Sequence, residues 1–295
     1  MLRSHNASPF KRRVLIATLA MTQLTALSGC GAIVSRATDR LASSLSSAVL
    51  NQDDPQTVAD ALPAYLVMLD ALIENSPDNA GILGAAATLY AAYGATFVSD
   101  ADRASRLTAR ARRYGQAGIC AHNDAFCELS DKPFDEFDAT LSQLTVEDVP
   151  AFYAYAVSWL AYMRAHASDF GVLADLPKVE SVLVTLDAQD TTYEAGNIAL
   201  YLGILNTLRP AALGGDPEAG RAFFEQAIEL SDGRDLSAKV EFARGYARSL
   251  YERELHDRLL NDVIAADPVV DGLTLFNVMA QRQAHELLAS ADDYF

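Results

Sequence analysis

Tryptophan occurs once in the 295 residues, cysteine three times, and methionine and histidine five times each. Such a small stock of soft and imidazole ligands excludes a disulfide-dense scaffold and leaves little to build a metal centre. Cys120, His122 and Cys127 lie close together, yet no fourth soft ligand stands at a suitable spacing. His285-Glu286-Leu287-Leu288-Ala289 begins like a zinc-protease helix but places Ala289 where the second histidine must be. Gly81-Ile82-Leu83-Gly84 lacks the third glycine and the preceding strand of a dinucleotide fingerprint, and neither a P-loop nor a G-x-S-x-G elbow occurs. The sequence offers no catalytic set, no metal site and no cofactor motif, so it reads as a non-enzymatic protein.

Basic charge is also short: 23 Lys and Arg against 39 Asp and Glu give a net charge of −16. That balance argues against nucleic acid or an anionic lipid surface as a partner, because phosphate binding needs an excess of cations. Proline (10) and glycine (16) are few while alanine and leucine abound, which favours helices throughout. The expected fold class is all-α, with stacked antiparallel helix pairs of a tetratricopeptide-like solenoid or bundle.

The N-terminus departs from this acidic character. Lys11, Arg12 and Arg13 precede the apolar run Val14 to Met21 and Leu24 to Leu27, and no acidic residue occurs before Asp39. A charged segment before a short apolar one is the pattern of a secretory signal, too short to remain as a membrane helix. Leu27-Ser28-Gly29-Cys30 resembles a bacterial lipobox, with Cys30 as the lipidation site. Residues 1–29 are thus expected to be a signal peptide, 30–54 a lipidated N-terminus and tether, and 55–295 the helical domain. Gly31 after the cysteine favours sorting to the periplasmic face of the outer membrane. Loss of Arg3, Lys11, Arg12 and Arg13 with the signal takes the net charge from −16 to −20.

Along the domain, apolar segments with helical spacing alternate with Pro, Gly, Asp and Asn punctuation. Thr57 to Glu74 reads as the first helix, with Pro63 predicting a kink or a start at that residue. Ala80 to Val98 carries no charge over nineteen residues, but its Ala, Gly, Thr and Tyr content fits a closely packed buried helix better than a membrane span. Arg103, Arg106, Arg110, Arg112 and Arg113 decorate the next helix and read as a solvated face. Cys120 to Val149 reads as irregular, anchored by Phe126, Phe134 and Phe137. Cys120 and Cys127 either close a short disulfide loop or lie unpaired on one helical face. Ala151 to Ala167 is aromatic-rich, and later helix ends near 186, 230 and 266 recur at roughly the period of tetratricopeptide helix pairs. Such pairs offer a binding surface rather than a catalytic apparatus. Six aromatic residues are candidates for a ligand cavity between helices: Tyr90, Tyr93, Tyr155, Trp159, Tyr162 and Tyr201. Each joins an apolar body to a polar tip, which suits an amphiphile; the alternative is that they fill a satisfied core. His256 and Asp257, among Arg253 and Arg258, read as charge-laced surface.

Several stretches carry a family resemblance: Asp54-Pro55 through Asp78-Asn79, Leu89-Tyr90-Ala91-Ala92-Tyr93-Gly94, Leu176-Pro177-Lys178-Val179-Glu180, Pro210 through Pro217, Lys239 through Arg244, Arg253 through Leu260, and the tail from Asn277 to Phe295. Together they resemble the TatT component of tripartite ATP-independent periplasmic (TRAP) transporter systems. The resemblance implies a cryptic tetratricopeptide-like fold and a periplasmic solute-binding protein as partner. It also implies self-assembly, with a trimer the first expectation, and an internal cavity for a hydrophobic or organic-acid ligand. It supplies no catalytic motif. Membrane contact is expected through the N-terminal lipid only. The competing reading is a tetratricopeptide lipoprotein scaffold for envelope assembly.

Overall fold

Asp54 starts the first helix by accepting hydrogen bonds from Gln56 N (3.1 Å) and Thr57 N (3.3 Å), while Pro55 occupies the first helical position, where no amide donor is needed. The computed structural model describes residues 47–209 and 214–295, of which 51–295 form one unit; Cys30, the signal segment and most of the tether lie outside the described residues. Helix α1 (Pro55–Asn75) begins two residues earlier than the apolar spacing indicates and carries Pro63 within it. The cap explains the early start: it satisfies the orphan amides ahead of the first apolar residue.

Asn79 caps α2 (Ala80–Thr96) through Ile82 N at 3.0 Å, and Asp100 caps α3 (Ala101–His122) through Arg103 N at 2.7 Å. Helix α2 is buried along Ala86, Ala87, Ala91 and Gly94, small residues that let it lie against both α3 and α5 (Val149–Ala165). The α3–α5 crossing is closest at Gly115. A Cβ there would collide with Ser158 Oγ and stand 3.1 Å from Tyr155 Cα.

The stretch between α3 and α5 is more ordered than its composition implies. It holds 3-10 turns at Asp124–Phe126 and Leu129–Asp131, helix α4 (Phe134–Leu141), and a turn at Val146–Asp148 closed by reciprocal Thr145–Asp148 hydrogen bonds. Phe126 and Phe137 are buried anchors, whereas Phe134 is 45% exposed at the first position of α4 and anchors nothing. Cys120 and Cys127 are joined in a disulfide, with Cα atoms 4.4 Å apart, which ties the end of α3 to this stretch.

Helices α6 (Leu176–Gln189), α7 (Asn197–Leu208), α8 (Pro217–Leu230), α9 (Leu236–Glu241), α10 (Arg253–Ala265) and α11 (Thr274–Ala289) follow, each packed on neighbours in the chain. No strand occurs among the described residues. The segment after Ser237 is not one regular helix: α9 passes into a π-turn at Phe242–Ala247, closed by Arg248 N donating to Ala243 O at 2.9 Å. Two apolar clusters result, one around Phe137, Phe152, Tyr155 and Trp159, the other around Phe224, Phe242, Tyr246 and Leu260. Buried Asn277 joins the turns of the second half, donating to Arg234 O (3.0 Å) and accepting from Leu236 N (3.0 Å).

The first helix also meets the last. Helix α1 packs on α11 as well as on α2, and just before it Asn51 donates to Asp271 Oδ1 (2.8 Å) and accepts from Gly272 N (2.6 Å). An open helical array leaves its two end faces to be covered separately; here they are brought together. Among the described residues, α1 alone is long and apolar enough to cross a membrane, with a mean hydropathy of 1.3. It buries Val58, Leu62 and Leu66 against the protein and leaves Ala61, Ala64, Val67, Met68 and Ala71 exposed.

Candidate ligand site

The six aromatic candidates fall in three places. Tyr90 and Tyr93 of α2 are buried, and both hydroxyls are committed. Tyr90 donates to Asp70 Oδ2 (2.7 Å) and Tyr93 accepts from Arg103 Nη2 (3.0 Å). Asp70 gathers Tyr90, Tyr114 (2.7 Å) and Arg110 (2.8 Å), pinning α1 to α2 and α3. Burial beside this carboxylate pushes the Tyr114 phenol up to about 12. These groups hold helices together and present no free polar tip.

Tyr155, Trp159 and Tyr162 lie on α5. Tyr155 and Trp159 are fully buried, and neither Tyr155 Oη nor Trp159 Nε1 has a hydrogen-bond partner. The Arg112 guanidinium of α3 lies over Trp159, 4.1 Å from its ring centre, with Tyr162 at 5.3 Å. A cleft of about 250 Å³ opens there, lined by Arg112, Trp159, Tyr162, Asp169, Gly171, Val172 and Asp175. Arg112 has no carboxylate within the 4.0 Å of an ion pair among the described residues, and burial lowers its proton affinity, offset in part by Asp175. Outside any ion pair, the Arg112 guanidinium keeps all its N–H donors for a ligand, and it lies beside apolar rings. That combination suits an amphiphile with an acidic head.

Arg112 thus departs from the solvated face expected for the arginines of α3. Its helical phase matches Thr108, Gly115 and Ile119, all buried, whereas Arg103, Arg106, Arg110 and Arg113 are exposed. At the rim of the cleft, His166 stacks on Tyr162 with ring centres 4.1 Å apart. Its Nδ1 donates to Tyr162 O (2.8 Å), which leaves Nε2 to accept from the Ser105 hydroxyl (2.7 Å). Among the described residues no carboxylate bonds this pair; it ties α3 to the end of α5.

Tyr201 of α7 belongs elsewhere. It meets Tyr153 of α5, with centres 6.4 Å apart, and Tyr153 in turn meets Tyr193, at 5.2 Å. Burial pushes the Tyr193 and Tyr201 phenols up to about 12 each. Asp235 and Glu241 are nearby, and burial raises both carboxyls above their ordinary values.

His122 Nε2 donates to Asp148 Oδ1 at 2.8 Å rather than joining the cysteines, and no group of three or more His, Cys, Asp and Glu converges among the described residues. His256 is fully buried, contrary to its reading as surface: its Nδ1 meets Asp257 (2.8 Å), its Nε2 has no partner, and Phe295 packs on its ring. The C-terminal turn Ala291–Tyr294 covers it, an arrangement that local charge pattern cannot reveal.

A family model described as TRAP transporter T-component matches residues 51–295. The chain belongs to that family. A protein of Treponema pallidum (strain Nichols), described only as uncharacterized, is 24% identical to this T-component over 264 residues, 83% of this chain and 81% of the other. Membership makes the protein an accessory component of a TRAP transporter on the periplasmic side. Within this T-component the residues that sequence reasoning passed over are Arg112, Tyr153, Tyr193 and Asp235. Only Arg112 left a signal, in its helical phase.

Proposed function

We propose that this T-component is a non-enzymatic lipoprotein, anchored through Cys30 to the periplasmic face of the outer membrane. It docks a TRAP solute-binding protein and holds an amphiphilic organic acid in the cleft between α3 and α5. Residues 1–29 act as its signal peptide and 30–54 as its tether, and the helices serve as a tetratricopeptide-like docking frame. The observation that carries the ligand reading is the unpaired Arg112 guanidinium over Trp159, beside an indole N–H with no protein partner. A carboxylate head answers the guanidinium, and the apolar rings receive the body of the ligand.

Affinity capture of the tagged protein from periplasmic extract, with mass spectrometry of proteins and small molecules, tests both halves. Recovery of a solute-binding protein together with an organic acid supports the reading. Recovery of envelope-assembly proteins in its place moves the protein to the scaffold role. Non-denaturing mass spectrometry of the same sample reads the copy number, for which three is expected from the family resemblance.

A further inference from the structure

Tyr153, Tyr193 and Tyr201 come from α5, from the 3-10 turn ahead of α7 and from α7 itself, and their rings meet at interplanar angles of 64° and 58°. All three are partly exposed, and none of their hydroxyls has a hydrogen-bond partner among the described residues. Four other tyrosines have committed hydroxyls: Tyr90 and Tyr114 bond Asp70, Tyr93 bonds Arg103, and Tyr246 bonds Glu218 at 2.9 Å. The turn that presents Tyr193 is strained. Glu194 (φ 50°) and Ala195 (φ 52°) lie in the left-handed region just before Gly196 (φ 96°). Each such non-glycine residue is disfavoured by the contact of its Cβ with the backbone, and strain of this kind gathers where a side chain must be held in place for a ligand.

The surroundings are acidic. Asp235 acts electrostatically on Tyr153 and Tyr201, and Glu194 acts on Tyr153 and Tyr193. Glu241 is neutralised by Arg244 at 2.7 Å, and Asp190 is held by Thr192. Asp235 and Glu194 have no ion-pair partner among the described residues; the carboxylate of Asp235 is held by Ser237, whose amide donates to it at 2.9 Å. Arg164 is a cation near Tyr201, and it too is unpaired among the described residues. We propose that the Tyr153–Tyr193–Tyr201 cluster, with Asp235 and Glu194 beside it, binds an organic ammonium cation. Aromatic faces attract an alkylated ammonium, phenol oxygens accept from any N–H that it bears, and a nearby carboxylate balances its charge. An anion would meet the like charge of both Asp235 and Glu194, a cation only that of Arg164. The site is separate from the Arg112 cleft: Tyr153 and Tyr162 are nine residues apart on α5, about 180° around the helix and about 13 Å along it. It does not depend on the transporter role.

Calorimetric titration of the purified full-length protein at low salt, with choline and with its neutral isostere 3,3-dimethylbutan-1-ol, tests the proposal. Choline is expected to bind at least roughly tenfold more tightly than the alcohol, because only charge distinguishes them. Asp235→Asn keeps a capping side chain for α9 and is expected to weaken choline roughly tenfold while the circular dichroism melt is retained. Tyr201→Phe keeps the ring face and is expected to hold choline within about threefold. Pentanoate, a carboxylate probe, is expected not to compete with choline. Equal binding of choline and the alcohol, no choline binding up to about 10 mM, unchanged affinity in Asp235→Asn, or displacement of choline by pentanoate would each overturn it.

Discussion

At the scale of single residues, Arg112 decides what the α3–α5 cleft can hold. A hydrogen-bonded charge contributes about 1.5–3 kcal/mol to binding, so Arg112→Met is expected to weaken a carboxylate ligand by roughly 10- to 100-fold. Trp159 is the only tryptophan in the chain and lies directly beneath the guanidinium, so its emission reports this loss without interference. An unchanged ligand-induced shift in the variant would remove Arg112 from the site. Gly115 acts through space alone. The collision of any Cβ with Ser158 Oγ predicts that Gly115→Val costs about 1–3 kcal/mol of stability, read as a lower urea midpoint with an unchanged slope. The buried acids set a pH dependence with opposing signs. Burial raises Asp187, Asp235 and Glu241 above their ordinary values of 3.8, 3.8 and 4.5, so protonation favours the folded state and stability rises as pH falls from neutral toward those values. Hydrogen bonds lower Asp54 and Asp148, whose contribution is present above 3.8 and is lost as pH falls below it. Thermal melts should therefore peak on the acid side of neutral and drop below about 3.8, and Asp235→Asn with Glu241→Gln should flatten the rise.

At the scale of elements, the Cys120–Cys127 disulfide fastens the end of α3 to the turns that deliver Phe126 and Phe137 to the core. Closing so short a loop contributes about 2–3 kcal/mol, so reduction is expected to lower the melting temperature by about 5–10 °C. An equal melt with and without reductant would show that these turns fold unaided. The element boundaries also show what local pattern can and cannot reveal. Helices α2 and α5, and the ends of α6, α8 and α10, were legible because apolar period and Asp, Asn, Pro or Gly punctuation agree within a few residues. Helix α4 was not, because Phe134, Asp135, Glu136 and Asp138 leave only Phe137 and Leu141 on its buried face. The π-turn at Phe242–Ala247 was invisible for another reason: one extra residue per turn changes no residue type, and the close approach of Gly245 to Thr207 and Phe224 within it is made between distant parts of the chain.

At the scale of the whole molecule, the meeting of α1 with α11 predicts cooperative behaviour. Asn51→Ala removes both bonds to the Asp271–Gly272 turn, Asp271 lying 220 residues away in sequence, and is expected to speed amide exchange in α1 and α11 together. The outward face of α1, with Val67 68% and Met68 43% exposed, is the apolar strip that self-assembly would cover. Val67→Glu with Met68→Glu is expected to shift the protein toward monomer in light scattering, while the melt of the isolated chain changes little; an unchanged mass would place the contact elsewhere. By itself the sequence determined the helical class, the acidic charge balance and the family, since each follows from composition, period or local motif. Only the tertiary structure decided which aromatic groups share a site. It parted Tyr90 and Tyr93 from Trp159 and Tyr162, set Tyr201 against Tyr153 and Tyr193, and turned Arg112 inward while its neighbours stayed out. The physical reason is that burial and pairing depend on which helix faces meet, and residues far apart along the chain settle that together.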